Sequence, residues 1–223
     1  MSLPVSDSPE DLRRWRLPRG RHGLPRELVE RSQRERLLAA VVKVTVAKGY
    51  ESTTVGDILG EAGVGRESFY ELFDDKLDCM LAAHKILVDE VESRVREAYS
   101  EGGPWAQRMR RGLEVTLDWF AANPDAARFA LVELSTVGPA FRPTFQTEFA
   151  RAVGVLEEAG GEDAPEPDLA QAYSLAAGTI LARIYEEVVL GRTTELPRLL
   201  PDLTYELLVP FIGEERARAA ADC

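Results

Sequence analysis

Residues 50–76 read Tyr50-Glu51-Ser52-Thr53-Thr54-Val55-Gly56-Asp57-Ile58-Leu59-Gly60-Glu61-Ala62-Gly63-Val64-Gly65-Arg66-Glu67-Ser68-Phe69-Tyr70-Glu71-Leu72-Phe73-Asp74-Asp75-Lys76. The pattern is two short helices pinched around one glycine. Thr53 or Thr54 can cap a first helix running to about Glu61, because a hydroxyl there accepts a bond from an orphan N–H of the first turn. Gly63 falls where the chain must leave that helix through a left-handed conformation, which glycine adopts at least cost. A second helix is expected from about Gly65 to Phe73. Ile58, Ala62, Val64, Phe69 and Leu72 are spaced to bury one small shared core, leaving Arg66, Glu67, Ser68 and Tyr70 at the exposed start of the second helix. That layout is a helix-turn-helix, whose second helix enters the DNA major groove by its N-terminal end.

Outward from this stretch, the chain reads as all-α, about nine helices. Glu30–Lys48 forms a helix closed by Gly49. Val41-Val42-Lys43-Val44-Thr45-Val46 also suits a strand, but the preceding run of helix formers and the adjoining motif favour a helix. Asp74 or Asp75 caps a long helix from about Lys76 to Tyr99, with Leu77, Leu81, His84, Leu87 or Val88, Val91 and Val95 as its apolar stripe. Further helices open at Gly102-Gly103-Pro104, at Asn123-Pro124 (to about Thr136, broken by Gly138-Pro139), at about Pro143 (to Ala159) and at Asp168 (to Leu190). A last helix spans about Glu195–Ile212, where Pro201 marks a break or a restart. Gly160–Pro167 is an acidic loop. The domain reading is therefore residues 1–27 as a flexible basic arm, 28–76 as a three-helix helix-turn-helix unit, and 77–223 as a C-terminal helical bundle.

The formal net charge of −11 is unevenly spread. Arg13 to Tyr50 holds 11 Lys/Arg against 3 Asp/Glu, and Leu81 onward holds 14 against 24. DNA affinity depends on where cations meet phosphates rather than on the whole-chain sum. The asymmetry suits a DNA reader with an acidic body. In the arm, Pro18-Arg19-Gly20-Arg21-His22-Gly23 carries the Arg-Gly-Arg core of AT-hook minor-groove binders without the following proline, so Arg19 and Arg21 can lie in a narrow minor groove. A merely basic leader is the alternative. Cys79 and Cys223 make no metal-ligand spacing. No nucleophile–base or paired-carboxylate pattern stands out, no cofactor is implied, and no apolar run approaches the length of a membrane span. A cytoplasmic non-enzyme is the expectation.

The stretch resembles the tetracycline-repressor (TetR) family of bacterial transcription regulators. The resemblance lies in Thr53-Thr54-Val55, Ala62-Gly63-Val64, Phe69-Tyr70, Phe73 and Lys76, and covers about residues 30–80 closely. The chain departs from the family at Leu72, often a phosphate-contacting histidine, at Gly65, often serine, and at Glu67, often a small residue. Leu72 removes one expected phosphate contact, and Glu67 sets a carboxylate near the DNA.

Phosphate contacts suit Thr54, Tyr70 and Lys76, and Thr53 is a further candidate DNA contact. Base reading suits Arg66 first, bidentate on guanine, with Glu67 accepting from cytosine and Ser68 adaptable. The resemblance implies a homodimer formed by the last two helices, with Ala172, Leu175, Ala176 and Thr179 on one face and Leu203, Leu207 and Phe211 on the other. It also implies a small-molecule effector site in the body. Trp105, Met109, Thr116, Phe120, Phe129, Phe145, Phe149 and Tyr185 would line that site, with Glu133 and Arg183 as polar anchors. The expected function is a ligand-responsive regulator, a repressor released from a palindromic operator by a small molecule. The alternatives are a constitutive DNA-binding regulator and a helical ligand-binding protein or enzyme.

Overall fold

A computed structural model of the chain describes residues 25–158 and 170–222. Among these, every regular element is helical. Helix α1 runs Arg26–Lys48, starting four residues before the expected Glu30. Pro25 precedes it with its φ already fixed, Glu27 sits in the first turn, and Arg26 pairs with Glu30 at 2.5 Å. The rest of the arm, including Arg19 and Arg21, lies outside the described residues. The β-branched stretch is helical throughout: Val41, Val42, Val44 and Thr45 are buried, because α1 is covered by the DNA-binding unit on one side and the body on another. Burial on several faces suits β-branched residues and overrides their local strand preference.

Helices α2 (Val55–Ala62) and α3 (Arg66–Leu72) make the two arms of the motif. Thr54, not Thr53, is the cap, and it forms a reciprocal capping box with Asp57. Gly63 turns left-handed at φ 60°, ψ 39°, and the guanidinium of Arg36 donates to the carbonyls of Ala62 (3.1 Å) and Gly63 (3.3 Å). Helix α4 (Lys76–Ser100) is capped by Asp75, whose carboxylate accepts from the N–H of Asp78.

The body continues with α5 (Trp105–Ala122), packed along α4. At Gly112 the two helices come so close that an added Cβ would lie 2.5 Å from the Tyr99 ring, so only glycine fits without displacing that ring. The single helix expected from Asn123 to Thr136 is instead α6 (Pro124–Arg128), a π-helical turn (Phe129–Glu133) and a 3₁₀ segment (Leu134–Phe141). The wide turn brings Glu133 into a buried position 3.1 Å from the Arg128 guanidinium. Next come α7 (Arg142–Glu158) and α8 (Ala170–Val189); the loop expected at 160–167 lies outside the described residues.

A 3₁₀ segment (Thr193–Leu199) leads into α9 (Leu200–Ile212), so Pro201 marks a restart at a first helical turn. Past Gly213, a helix α10 (Glu214–Ala221) was not anticipated; it packs back on α9 and α5 through Ala217.

One apolar core joins the DNA-binding unit to the body. It contains Leu37 and Val41 of α1, Ile58 of α2, Phe69 of α3 and Met80 and Leu87 of α4. It continues into Trp119, Phe129, Leu134 and Phe141. The helix-turn-helix is therefore seated on the body rather than tethered to it.

Candidate functional site

The prospective DNA face is built on Phe69, which is fully buried beneath α3 and stacks edge-on against Tyr70 at 5.3 Å. With that anchor, Arg66, Glu67 and Tyr70 point to solvent. Ser68 is half-buried and accepts a bond from the Gln33 amide at 3.3 Å, which fixes α3 against α1.

Three expected DNA contacts are used inside the protein. Thr53 is 1% exposed and its hydroxyl donates to the Gly49 carbonyl at 2.8 Å, so it cannot reach a duplex. The Thr54 hydroxyl donates to Asp57 at 2.8 Å while accepting from the Asp57 N–H. Asp57 is held in turn by Lys48, and the Lys48 and Thr54 bonds draw its carboxyl down to about 2. Lys76 donates to the carbonyls of Tyr50 (2.8 Å) and Thr53 (2.9 Å) and sits 4.2 Å from the centre of the Tyr50 ring. It ties the α1–α2 turn to the start of α4.

Four of the six cations of α1 are spent similarly. Arg36 bonds the turn, Lys43 pairs with Glu61 at 2.7 Å, Lys48 pairs with Asp57, and Arg34 lies over Phe73. Four of the eleven cations counted from Arg13 to Tyr50 thus assemble the motif rather than waiting for phosphate. No local pattern signals these pairings, since each crosses from one helix to another.

In the body, α4, α5, α7, α8, the π-helical turn and the 3₁₀ segment after it line a half-open cavity of about 620 Å³. This is within the usual range for small-molecule sites. Six of the expected residues line it: Met109, Thr116, Phe120, Phe145, Phe149 and Tyr185. Four do not. Trp105 packs on Phe211, and Phe129 is fully buried in the core shared with the DNA-binding unit. Glu133 faces Arg128, and Arg183 pairs with Glu206 at 3.6 Å.

The polar positions that do reach the cavity include His84, Glu92, Tyr99, Thr116, Ser135 and Glu148. Burial, aided by the nearby Arg151 cation, lowers the His84 imidazole to about 4, and its Nδ1 has no hydrogen-bond partner. Burial pushes the Glu148 carboxyl up, against the pull of Arg151. It also raises the Tyr99 phenol and takes the Cys79 thiol, which sits under α1, up to about 12. Such a thiol is unreactive, so Cys79 is core. The polar positions at 84 and 92 interrupt the apolar stripe of α4, which was the available signal for them.

The expected dimer faces divide. Ala176, Leu203 and Leu207 are buried within the chain, and Phe211 packs against Tyr173 at 4.6 Å between ring centres. The bulky face of α9 is thus intrachain core. Leu175 (66% exposed) and Thr179 face solvent on α8 with Val189 and Leu190 further along, and Ala172 is half-buried beside them.

The arrangement defines a helix-turn-helix protein whose reading unit shares a core with a hollow helical body. Residues 37–83 match the family described as "Bacterial regulatory proteins, tetR family". The matched stretch holds the helix-turn-helix and the start of α4. The chain is similar to the HTH-type transcriptional activator FasR of Mycolicibacterium smegmatis, at 31% identity over 47% of this chain and 46% of that protein. It is also similar to the HTH-type transcriptional regulator CymR of Pseudomonas putida, at 27% identity over 55% and 61%. The match thus spans about half of these relatives' own lengths. In fold, it resembles the transcriptional regulator FadR from Bacillus subtilis, solved in complex with stearoyl-CoA. That likeness has a TM-score of 0.68 and 21% identity over 77% of this chain and 96% of the other. The fatty acid degradation regulator FadR from Bacillus halodurans is similar too, with a TM-score of 0.67 and 18% identity over 79% and 94%.

Proposed function

We propose that this protein is a cytoplasmic DNA-binding regulator that works as a homodimer on a two-fold operator and is released by a small apolar effector. The observation that carries the reading is the double duty of α4. Its first turns, with Cys79, Met80 and Ala83, lie in the core beneath the helix-turn-helix. Two to four turns later, Leu87, Val88, Val91 and Val95 of the same helix line the cavity. From Val91 back to Lys76 the lever is about 22 Å, so a tilt of about 5° set by a ligand displaces the reading unit by about 2 Å. Two such displacements spoil the match to half-sites about 34–36 Å apart. The π-helical turn gives a second route, because Ala130 and Leu131 line the cavity while Phe129 packs beneath α1. Ligand then acts by favouring one of two body states, and it shifts binding only as far as its affinities for them differ.

Repression by occupancy is the mode we propose, and the dimer would form through the exposed face of α8. Arg66 remains the first base reader, with Glu67 beside it and Tyr70 on the backbone. The FadR complex with stearoyl-CoA supports an apolar chain as the body of the effector. The test is a footprint on the DNA flanking the gene, followed by gel shifts with and without candidate effectors. Arg66→Ala should cost about 1–3 kcal/mol and relax preference at one position per half-site. Equal loss on every sequence would make Arg66 a phosphate contact, and binding that no small molecule changes would remove the effector half of the reading.

A further inference from the structure

Among the described residues, those lining the cavity include two carboxylates, Glu92 and Glu148, and neither a lysine nor an arginine. Both carboxylates are already paired with guanidiniums. Arg151 reaches from α7 to Glu92 Oε2 (2.7 Å), Asp89 (2.7 Å) and Glu148 (2.9 Å). Arg96 bonds the same Glu92 Oε2 at 3.2 Å and forks onto Glu158. Both cations therefore converge on one oxygen of Glu92. The other, Oε1, is buried without a hydrogen-bond partner, on a residue only 8% exposed.

A buried carboxylate oxygen left unpaired is costly, and it can only accept. A ligand that supplies an O–H there gains the bond and removes the penalty. A ligand carboxylate or phosphate would instead meet two carboxylates with no free cation to answer it. An ammonium would likewise give up its hydration, to an oxygen whose carboxylate charge two guanidiniums already answer. About 12 Å along the same helix, or eight residues, the buried imidazole of His84 offers a second, uncharged polar point. Three further hydroxyls are occupied as donors: Thr116 gives its proton to the Gly112 carbonyl, Ser135 to that of Val132, and Tyr99 to the Met109 sulfur at 3.9 Å.

We propose that the cavity selects a neutral amphiphile, an apolar body bearing a hydroxyl that donates to Glu92 Oε1, and discriminates against fatty carboxylates and acyl thioesters of phosphorylated carriers. This rests on the reading of the cavity as an effector site, and it separates the effector from the stearoyl-CoA held by the FadR of similar fold.

The test uses the full chain and displacement of Nile red, an uncharged apolar dye, by 1-decanol, decanoate, decylamine and decanoyl-CoA at pH 7.5. Decanol should displace the dye at least about tenfold more effectively than the other three, the order set by charge in a low-dielectric site. Glu92→Met, which removes the acceptor and its charge, should shrink the decanol-to-decanoate ratio to under about threefold. The wild-type series stands whether or not that variant folds. If the dye binds and decanoate, decylamine or decanoyl-CoA matches or exceeds decanol, the hydroxyl proposal is overturned while the effector cavity survives. A ratio unmoved by Glu92→Met also overturns it. If the dye does not bind at all, the effector cavity fails and the proposal with it.

Discussion

Lys76→Met separates two incompatible roles for one motif position. A cation at the groove edge would contact phosphate, whereas the structure gives its ammonium to the carbonyls of Tyr50 (2.8 Å) and Thr53 (2.9 Å) with the Tyr50 ring beneath it. Hydrogen bonds to a charged donor contribute about 1.5–3 kcal/mol each where solvent is excluded. Lys76 is half-buried, which reduces the sum of two such bonds, and methionine keeps most of the apolar stem. The expected loss is about 2–3 kcal/mol of folding stability, read as a lower urea midpoint with an unchanged slope. For a chain of this size it corresponds to a melting point roughly 4–12 °C lower. Operator binding by the folded fraction should keep its dependence on salt, since no phosphate contact is lost. A phosphate contact predicts the reverse: an unchanged urea midpoint and a salt slope smaller by about one. That second pattern would refute the tie.

Two further outcomes follow from the body. His84 is buried with its imidazole held near 4 against an ordinary 6.5, so the unfolded chain binds the proton that the folded chain refuses. The stability tied to this neutral state is complete above about pH 6.5 and is lost as pH falls toward 4, by about 3 kcal/mol in total. His84→Leu should flatten the pH dependence of the urea midpoint across that window, and an unaltered profile would show that other groups set it. On α8, Leu175→Glu places a charge on the exposed apolar face and should yield monomers in sedimentation at micromolar concentration, without changing helix content. Dimers that persist would move the interface elsewhere.

The sequence carried the motif because its determinants are local. A hydroxyl three residues before Asp57, a glycine at Gly63 and an apolar residue at Phe69 act over one helical turn, within reach of backbone hydrogen bonds and steric limits. The same holds for α4, whose cap and stripe were readable in order along the chain. Glu133 and Arg183 were placed in the cavity by residue type alone, and each has its partner elsewhere, Glu133 five residues away across a widened turn and Arg183 on another helix. Trp105 and Phe129 are aromatic in the way pocket residues are, and aromatic side chains fill cores equally well.

The one-dimensional pattern therefore determined most of the helical segments, where the reading helix begins and which residues are candidates for burial, since those depend on neighbours a few positions apart; it missed α10 and the π and 3₁₀ turns after α6. Only tertiary structure decided how each polar group is spent. Thr53 and Lys76 fasten a turn, Glu92 keeps one oxygen unpaired at the cavity wall, and the α9 leucines pack inward. These outcomes are set by which distant helices meet, and at such meetings a buried donor or charge must find its partner across space.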